Sequence, residues 1–304
     1  MKAFNVSVMQ KLLIVISGLL FASLGHANYE TNGNIVDIKI AIDKTIVDNH
    51  PELVNGDICV NLDTYLTSLE RPPIGLMIMC RAFELGRLNV NIILIESPSY
   101  NRSLRMVEDG LVHTMSESVW VSDIDHARIL RTTPVLPVGE FEKGVYVLAD
   151  HPLTLANNDE VLDKFTGVTI KTWNHDWRII NELSSNVVPA SRYEHLVNVM
   201  QAGRGDFTLL EFPQNKELEL MVLGVKMKPV PGIKVVIPES RVLVVTKQGD
   251  IAEFLGQMIN DGVKTLNENG ETKALYQTMG FHNPVTANWR VLNTFANGIN
   301  GPNS

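Results

Sequence analysis

The chain has few cysteines, few aromatic residues, and fewer bases than acids. Two cysteines in 304 residues exclude a disulfide-rich scaffold, and eight scattered histidines without a close ligand spacing do not predict a metal site. Because 34 acids outnumber 26 lysines and arginines, neither nucleic acid nor an anionic membrane surface is an expected partner. Beyond the N-terminus, no apolar run approaches the length that a bilayer requires. We therefore predict an acidic soluble body with no metal and no cofactor.

The N-terminus has the pattern of a signal peptide. Lys2 and Lys11 precede the apolar run Leu12–Leu24, and Gly25-His26-Ala27 offers small residues for cleavage. A membrane anchor is the alternative, but the run is short for a bilayer span. Removing residues 1–27 takes away two lysines and no acid, so the formal net charge changes from -8 to -10. We expect export to a periplasm or the cell exterior, with no stable membrane insertion after cleavage.

The two cysteines, Cys59 and Cys80, form an even pair in a chain that we expect to be exported. An oxidising compartment permits a disulfide between them, which would tie the loop Asp48–Pro73 to the helix that follows. Two buried thiols are the alternative. We favour the disulfide because an even count in an exported chain is the permissive case.

A strand, a loop and a helix are predicted between residues 90 and 110. The apolar run Val90–Ile95 is typical of a buried strand, and Leu104, Val107 and Leu111 follow at helical spacing. Gly110 marks the end of that helix. A short extended piece comes next, and polar or aromatic residues end it where an open α/β sheet places its ligand crevice. These residues are Ser116, Glu117, Ser118 and Trp120.

The same order of elements recurs later in the chain. Between Tyr193 and Phe212, an amphipathic helix is followed by Gly203, a short strand and the carboxylate of Glu211. Two such units predict two lobes that face each other across one cleft. Two crossings between the lobes and two helices that return to the first lobe are also expected. The crossings are Val138–Ala149 and Arg241–Lys247, and the helices are Ile251–Leu266 and Thr272–Met279.

Four motifs occur in a recognisable order. They are Arg102, Leu104 and Gly110; Asp125-His126-Ala127-Arg128 with Thr133-Pro134; Gly203-Arg204-Gly205-Asp206 with Glu211; and the ending from Gly262 to Gly280-Phe281. In this order they resemble periplasmic substrate-binding proteins of the type II class, close to the family 3 polar amino-acid receptors and related sensory modules. The resemblance implies an α/β fold of two lobes, each a mostly parallel sheet flanked by helices. It also implies a first lobe of residues 28–140 and 248–304 and a second lobe of residues 141–247.

The resemblance also implies where a ligand would bind. The family holds the carboxylate of an amino acid with an arginine, but His126 occupies that position here. Arg128 and Arg102 are the nearest possible substitutes. Glu211 lies where the family places an acid for the ligand's ammonium group, and a surface carboxylate is the alternative interpretation.

Other candidate ligand-binding residues come from the family's ligand loops and from aromatic residues beside strands. Tyr100, Ser116 and Glu117 are carried over from those loops by the resemblance. Trp120 and Trp173 are candidate walls of a cleft, because large rings offer apolar surface with few rotamers to lose. Tryptophan is also an ordinary core residue, so packing is the alternative for both.

Three functions are compatible with the sequence. The first is an exported solute-binding protein that closes on a small polar ligand, either amino-acid-like or an organic anion, and delivers it to an ABC permease or signals to a membrane-bound sensor. The second is an exported dehydratase-like enzyme on the same scaffold, although no nucleophile with a positioned base is apparent. The third is a ligandless structural partner of an envelope complex. We favour the first, which is not an enzyme.

Overall fold

A computed structural model describes residues 35–54, 58–61, 73–155 and 162–293. The predicted signal peptide lies outside the described residues. The helices are α1 (Lys44–Asn49), α2 (Ile74–Leu85), α3 (Tyr100–Glu108), α4 (Asn174–Leu183), α5 (Tyr193–Gln201), α6 (Ala252–Glu268) and α7 (Glu271–Gln277). The strands are β1 (Val36–Asp43), β2 (Val90–Ser97), β3 (Thr114–Met115), β4 (Val119–Trp120), β5 (Ile129–Arg131), β6 (Phe141–Leu148), β7 (Thr166–Ile170), β8 (Asn186–Ala190), β9 (Phe207–Leu210), β10 (Leu220–Val222), β11 (Val225–Ile237), β12 (Arg241–Val242), β13 (Val244–Thr246) and β14 (Arg290–Val291).

These strands form two large sheets, and we call the parts built on them the first half and the second half. The first sheet has the order β2-β1-β3-β13-β5, and the second has the order β10-β11-β6-β9-β7-β8 with β14 beside β11. The prediction of an α/β fold with two sheets is confirmed. Each sheet is mixed, however. In the first sheet β13 runs antiparallel to β3 and β5, and in the second sheet β6 runs antiparallel to β9 and β11.

The helices pack on the sheets through the apolar faces that the sequence predicts. Helix α2 is buried along most of its length, and it crosses α6 where Gly262 faces Ala82. A Cβ at Gly262 would lie 2.4 Å from the Ala82 Cβ, so only glycine permits this close approach. Gly110 ends the turn after α3 with a φ of 69°, as expected of a glycine that stops a helix.

The disulfide prediction is confirmed. Cys59 and Cys80 are bonded, with 5.2 Å between their Cα atoms, and the bond ties residues 58–61 to α2. Only part of the predicted loop Asp48–Pro73 is described, and it includes a short 3-10 helix over Pro51–Val54.

The two connections between the halves run side by side. The Val135 N–H donates to the Arg241 carbonyl at 2.9 Å, and the Arg241 N–H donates to the Leu136 carbonyl at 2.9 Å. Directly beside them, β12 pairs with β4 as a two-stranded ribbon, with Arg241 opposite Trp120. This pairing brings residues that are far apart in the sequence to the boundary between the halves.

The chain returns to the second half after α7. Asn283 donates from its side chain to the Pro213 carbonyl, Trp289 contacts the ring of Phe212, and β14 pairs with β11. The range 248–304, which the sequence analysis places in the first lobe, therefore includes residues that lie against the second sheet. No described helix is both long enough and apolar enough to cross a membrane.

The strands β5, β8 and β14 were not predicted, and β8 shows why. Asn186–Ala190 pairs only with β7, at the edge of the second sheet. Pro189 cannot donate a ladder hydrogen bond, and an edge strand is where a sheet tolerates proline.

Candidate functional site

Trp120 occupies the point where the two halves meet. It ends β4, and its ring centroid lies 4.8 Å from that of Phe141 and 4.7 Å from that of His175. Phe141 opens β6 and His175 lies in the first turn of α4, so both contacts come from the second half. Trp120 thus contributes an aromatic surface between the halves.

A guanidinium lies over the ring of Trp120. The Cζ atom of Arg241 is 4.6 Å from the centroid of Trp120 and 5.6 Å from that of Phe141. Arg241 donates from Nη2 to the Ser118 carbonyl, and its buried Nε has no hydrogen-bond partner among the described residues. This arginine was not predicted to belong to the site. It was assigned only to a crossing, because its pairing with Trp120 is not a local feature of the sequence.

The first half adds further polar groups around Arg241. Burial raises the pKa of the half-buried Glu117, while Arg241 acts to lower it and Asp43 to raise it further. The hydroxyl groups of Ser118 and Tyr276 are 3.1 Å apart and buried. Glu117 is thus a carboxylate held in a poorly solvated place, close to a cation.

Tyr100 and Asp123 form a second polar contact beside Trp120. The Tyr100 hydroxyl donates to Asp123 Oδ2 at 2.9 Å and accepts from the Trp120 N–H at 3.3 Å. Burial is the main cause of the raised pKa of Tyr100, so its hydroxyl stays protonated at neutral pH. Tyr100 therefore fixes the backbone that presents Trp120.

Glu239, on the connection after β11, bridges the two halves. It accepts hydrogen bonds from the backbone N–H of Ser122 and from the Ser122 hydroxyl, the latter at 2.9 Å. Its other contact is with His175, whose Nε2 lies 3.1 Å from Glu239 Oε2. Ser122 follows β4 of the first half and His175 belongs to the second, so we call these three residues the latch.

Lys143 lies in the second half among acids and rings. Its Nζ is 2.7 Å from Asp176 Oδ1 and 3.3 Å from Glu211 Oε1. The same atom lies 5.6 Å from the centroid of the Trp173 ring. Burial acts to lower the pKa of Lys143, but the two carboxylates outweigh it and raise the pKa, so the ammonium stays charged.

The structure brings together some of the sequence-predicted site residues. Trp120, Tyr100 and Glu117 surround the meeting point with Arg241, while Glu211 and Trp173 contact Lys143. Ser116 is buried after β3, and its Oγ has no hydrogen-bond partner among the described residues.

Three predicted residues lie elsewhere. Arg102 is exposed on α3, and the carbonyl of the exposed His126 accepts from Lys247 Nζ at 2.6 Å. Arg128 forms a partly exposed ion pair with Asp109, at 2.8 Å. None of these contacts reaches Trp120 or Lys143, and the ligand-binding roles of these residues stay predictions.

The space near Glu211 is closed in this structure. A gap that is too narrow to admit a water molecule is lined by Glu142, Glu211, Phe212, Gly280, Phe281 and His282. The Phe141 ring lies close to both Trp120 and Lys143, with its centroid 4.8 Å from that of Trp120 and 5.8 Å from Lys143 Nζ. The geometry corresponds to two halves in contact.

Comparisons with known proteins show the fold. No protein-family model matches the chain, and no curated protein matches it. Among solved structures, the ligand-binding core of GluR0 in complex with L-glutamate is 13% identical, covers 81% of this chain and 99% of its own, and has a TM-score of 0.50. A probable amino-acid ABC transporter extracellular-binding protein from Bacillus subtilis is 14% identical, with coverages of 81% and 97% and a TM-score of 0.53.

An arginine third transport system periplasmic binding protein from Legionella pneumophila is 13% identical to the chain. The match covers 80% of this chain and 99% of the other, with a TM-score of 0.51. At these identities, the likeness concerns the fold. The chain has the type II periplasmic binding fold that the order of motifs predicts.

Proposed function

We propose that this protein is an exported, non-enzymatic receptor whose two lobes close on a small polar ligand. The observation that carries the proposal is the convergence of both halves on Trp120, which contacts Phe141 and His175 and lies under Arg241. A rigid aromatic surface flanked by a few charged groups is typical of a site that orients a small polar molecule.

The lobes would correspond to residues 28–140 with 248–304 and to residues 141–247, after removal of the signal peptide 1–27, with β14 of the former range packed on the second sheet. Closure would bend the side-by-side connections at Val135–Leu136 and Arg241, which are hydrogen-bonded to each other. The ligand class is amino-acid-like or an organic anion, and the periplasm is the proposed location. An ABC permease or a membrane-bound sensor would receive the closed form.

Calorimetry with a panel of amino acids and organic anions tests this proposal. We expect saturable binding of at least one ligand, and a changed affinity after Glu211→Ala, because Glu211 is a partly exposed acid beside Lys143. Glu219→Ala is the matched control. Glu219 pairs with Lys226 and Lys228 on a hairpin away from Trp120, so its loss should leave affinity unchanged.

A ligandless structural role is the second candidate, and the closed gap near Glu211 favours it. If no ligand of the panel binds, and X-ray scattering shows the halves in contact without ligand, the receptor proposal fails and the structural role is preferred.

A further inference from the structure

Lys143 is a buried cation enclosed by the groups that would bind an amine. Its side chain is 8% exposed and that of Asp176 is 7% exposed, while Glu211 is 30% exposed. The rings of Trp173 and Phe141 lie 5.6 Å and 5.8 Å from its Nζ. Two carboxylates and two aromatic faces around one ammonium are the recognition elements of a primary amine.

We infer that Lys143 is an internal substitute for the ammonium group of a ligand, so that the site selects small carboxylates without an amine. The inference rests on the proposed function and specifies its ligand class. Asp176 and Glu211 already share the Lys143 ammonium at 2.7 Å and 3.3 Å. A ligand ammonium at the same acids would place a second positive charge beside the first, in a poorly solvated place where like charges repel strongly.

The complementary end of such a ligand has a partner in Arg241. The guanidinium is planar and suits a carboxylate, and here it is positioned on the Trp120 ring at 4.6 Å. Its buried Nε has no hydrogen-bond partner among the described residues. One end of the site therefore offers a donor for an anion, while the other end is already neutralised by the protein.

The first experiment removes the internal ammonium and supplies it from solution. Lys143→Ala deletes Cγ, Cδ, Cε and Nζ, which n-propylammonium reproduces atom for atom. We expect the melting temperature of the variant to rise saturably with n-propylammonium, whereas n-propanol at equal concentration has no such effect and the wild type does not respond. If Lys143→Ala alone does not fold, the same melting-temperature measurement is made on the double variant Lys143→Ala with Asp176→Asn, which leaves one fewer buried charge without a partner. A folded variant without a saturable response to the amine would overturn the inference.

The second experiment compares ligands that differ only by the amine. Glutarate is paired with glutamate, and propionate with alanine, in calorimetric titrations of the wild type and of Lys143→Ala. The wild type should prefer the member without the amine by about tenfold or more, and the variant should reverse this order. A wild type that prefers the amino acid overturns the inference. If the wild type binds no ligand of any class, the proposed function fails, while the n-propylammonium response still decides the role of Lys143.

Discussion

Replacing Glu239 by alanine should raise the ratio of open to closed protein without disturbing the core of either half. Its carboxylate is the acceptor for both the N–H and the hydroxyl of Ser122, and it lies 3.1 Å from Nε2 of His175. Glu239 is on the connection between β11 and β12, and its side chain is 19% exposed. The variant therefore loses contacts between the halves and leaves no large cavity.

The magnitude follows from these contacts. Hydrogen bonds to a charged acceptor contribute about 1.5–3 kcal/mol each when buried, and the exposure of Ser122 reduces this to about 1 kcal/mol each. Loss of both bonds should destabilise the closed form relative to the open form by about 2 kcal/mol. At 1.4 kcal/mol per factor of ten, the ratio of open to closed protein rises by about thirtyfold.

Hydrogen exchange measures this ratio even when the open form is rare. In peptides that cover β4 and the first turn of α4, protection should fall by about thirtyfold in Glu239→Ala, while the cores of both sheets keep theirs. X-ray scattering should show a larger radius of gyration if the open form becomes populated. Glu219→Ala, which breaks ion pairs at 2.6 Å and 2.9 Å within one hairpin, is the control. If the peptides of β4 and α4 are equally protected from hydrogen exchange in the two variants, Glu239 does not hold the halves together and the latch is refuted.

Two further predictions concern stability. Replacing Cys59 and Cys80 by serine should lower the free energy of unfolding by about 3 kcal/mol, because the disulfide closes a loop with a sequence separation of 21. A denaturant unfolding curve with the same midpoint and the same slope as the wild type would contradict this prediction. Burial is the main cause that lowers the pKa of His175 below 6.5, although Glu239 acts to raise it. As the pH falls, the unfolded chain therefore binds a proton at this histidine before the folded chain does. The free energy of unfolding should accordingly fall as the pH drops below about 6.5. The pH profile of stability in His175→Gln should be flatter than in the wild type, with His113→Gln measured separately because burial also lowers the pKa of His113.

The order of elements was predictable because apolar periodicity is a local property. The apolar run Val90–Ile95 predicts a strand, and it lies within β2 in the structure. The disulfide followed from a count of two cysteines in a chain with a predicted signal peptide. Glu211 and Trp120 became candidates because each follows or ends a strand.

The partners of these residues were not predictable in the same way. Neither Lys143 nor Asp176 was among the predicted site residues. In the structure the N-cap position is Trp173, so the carboxylate of Asp176 is available to Lys143. The contact joins residues 33 positions apart, and Arg241 meets Ser118 across 123 positions. Such contacts depend on the packing of the two halves, which periodicity does not encode.

Both cations of the candidate site lie on the strands nearest to the connections, Arg241 on β12 and Lys143 on β6. Residues close to an axis of bending move little when the outer parts swing apart, so both charges should keep their positions in the open and closed forms. The chain also crosses between the described sheets a third time, after α7, where β14 joins β11. Opening must bend this connection as well as the two that run side by side. A small opening about fixed charges is therefore the motion that this topology favours, and it would change the access to Arg241 and Lys143 more than their separation.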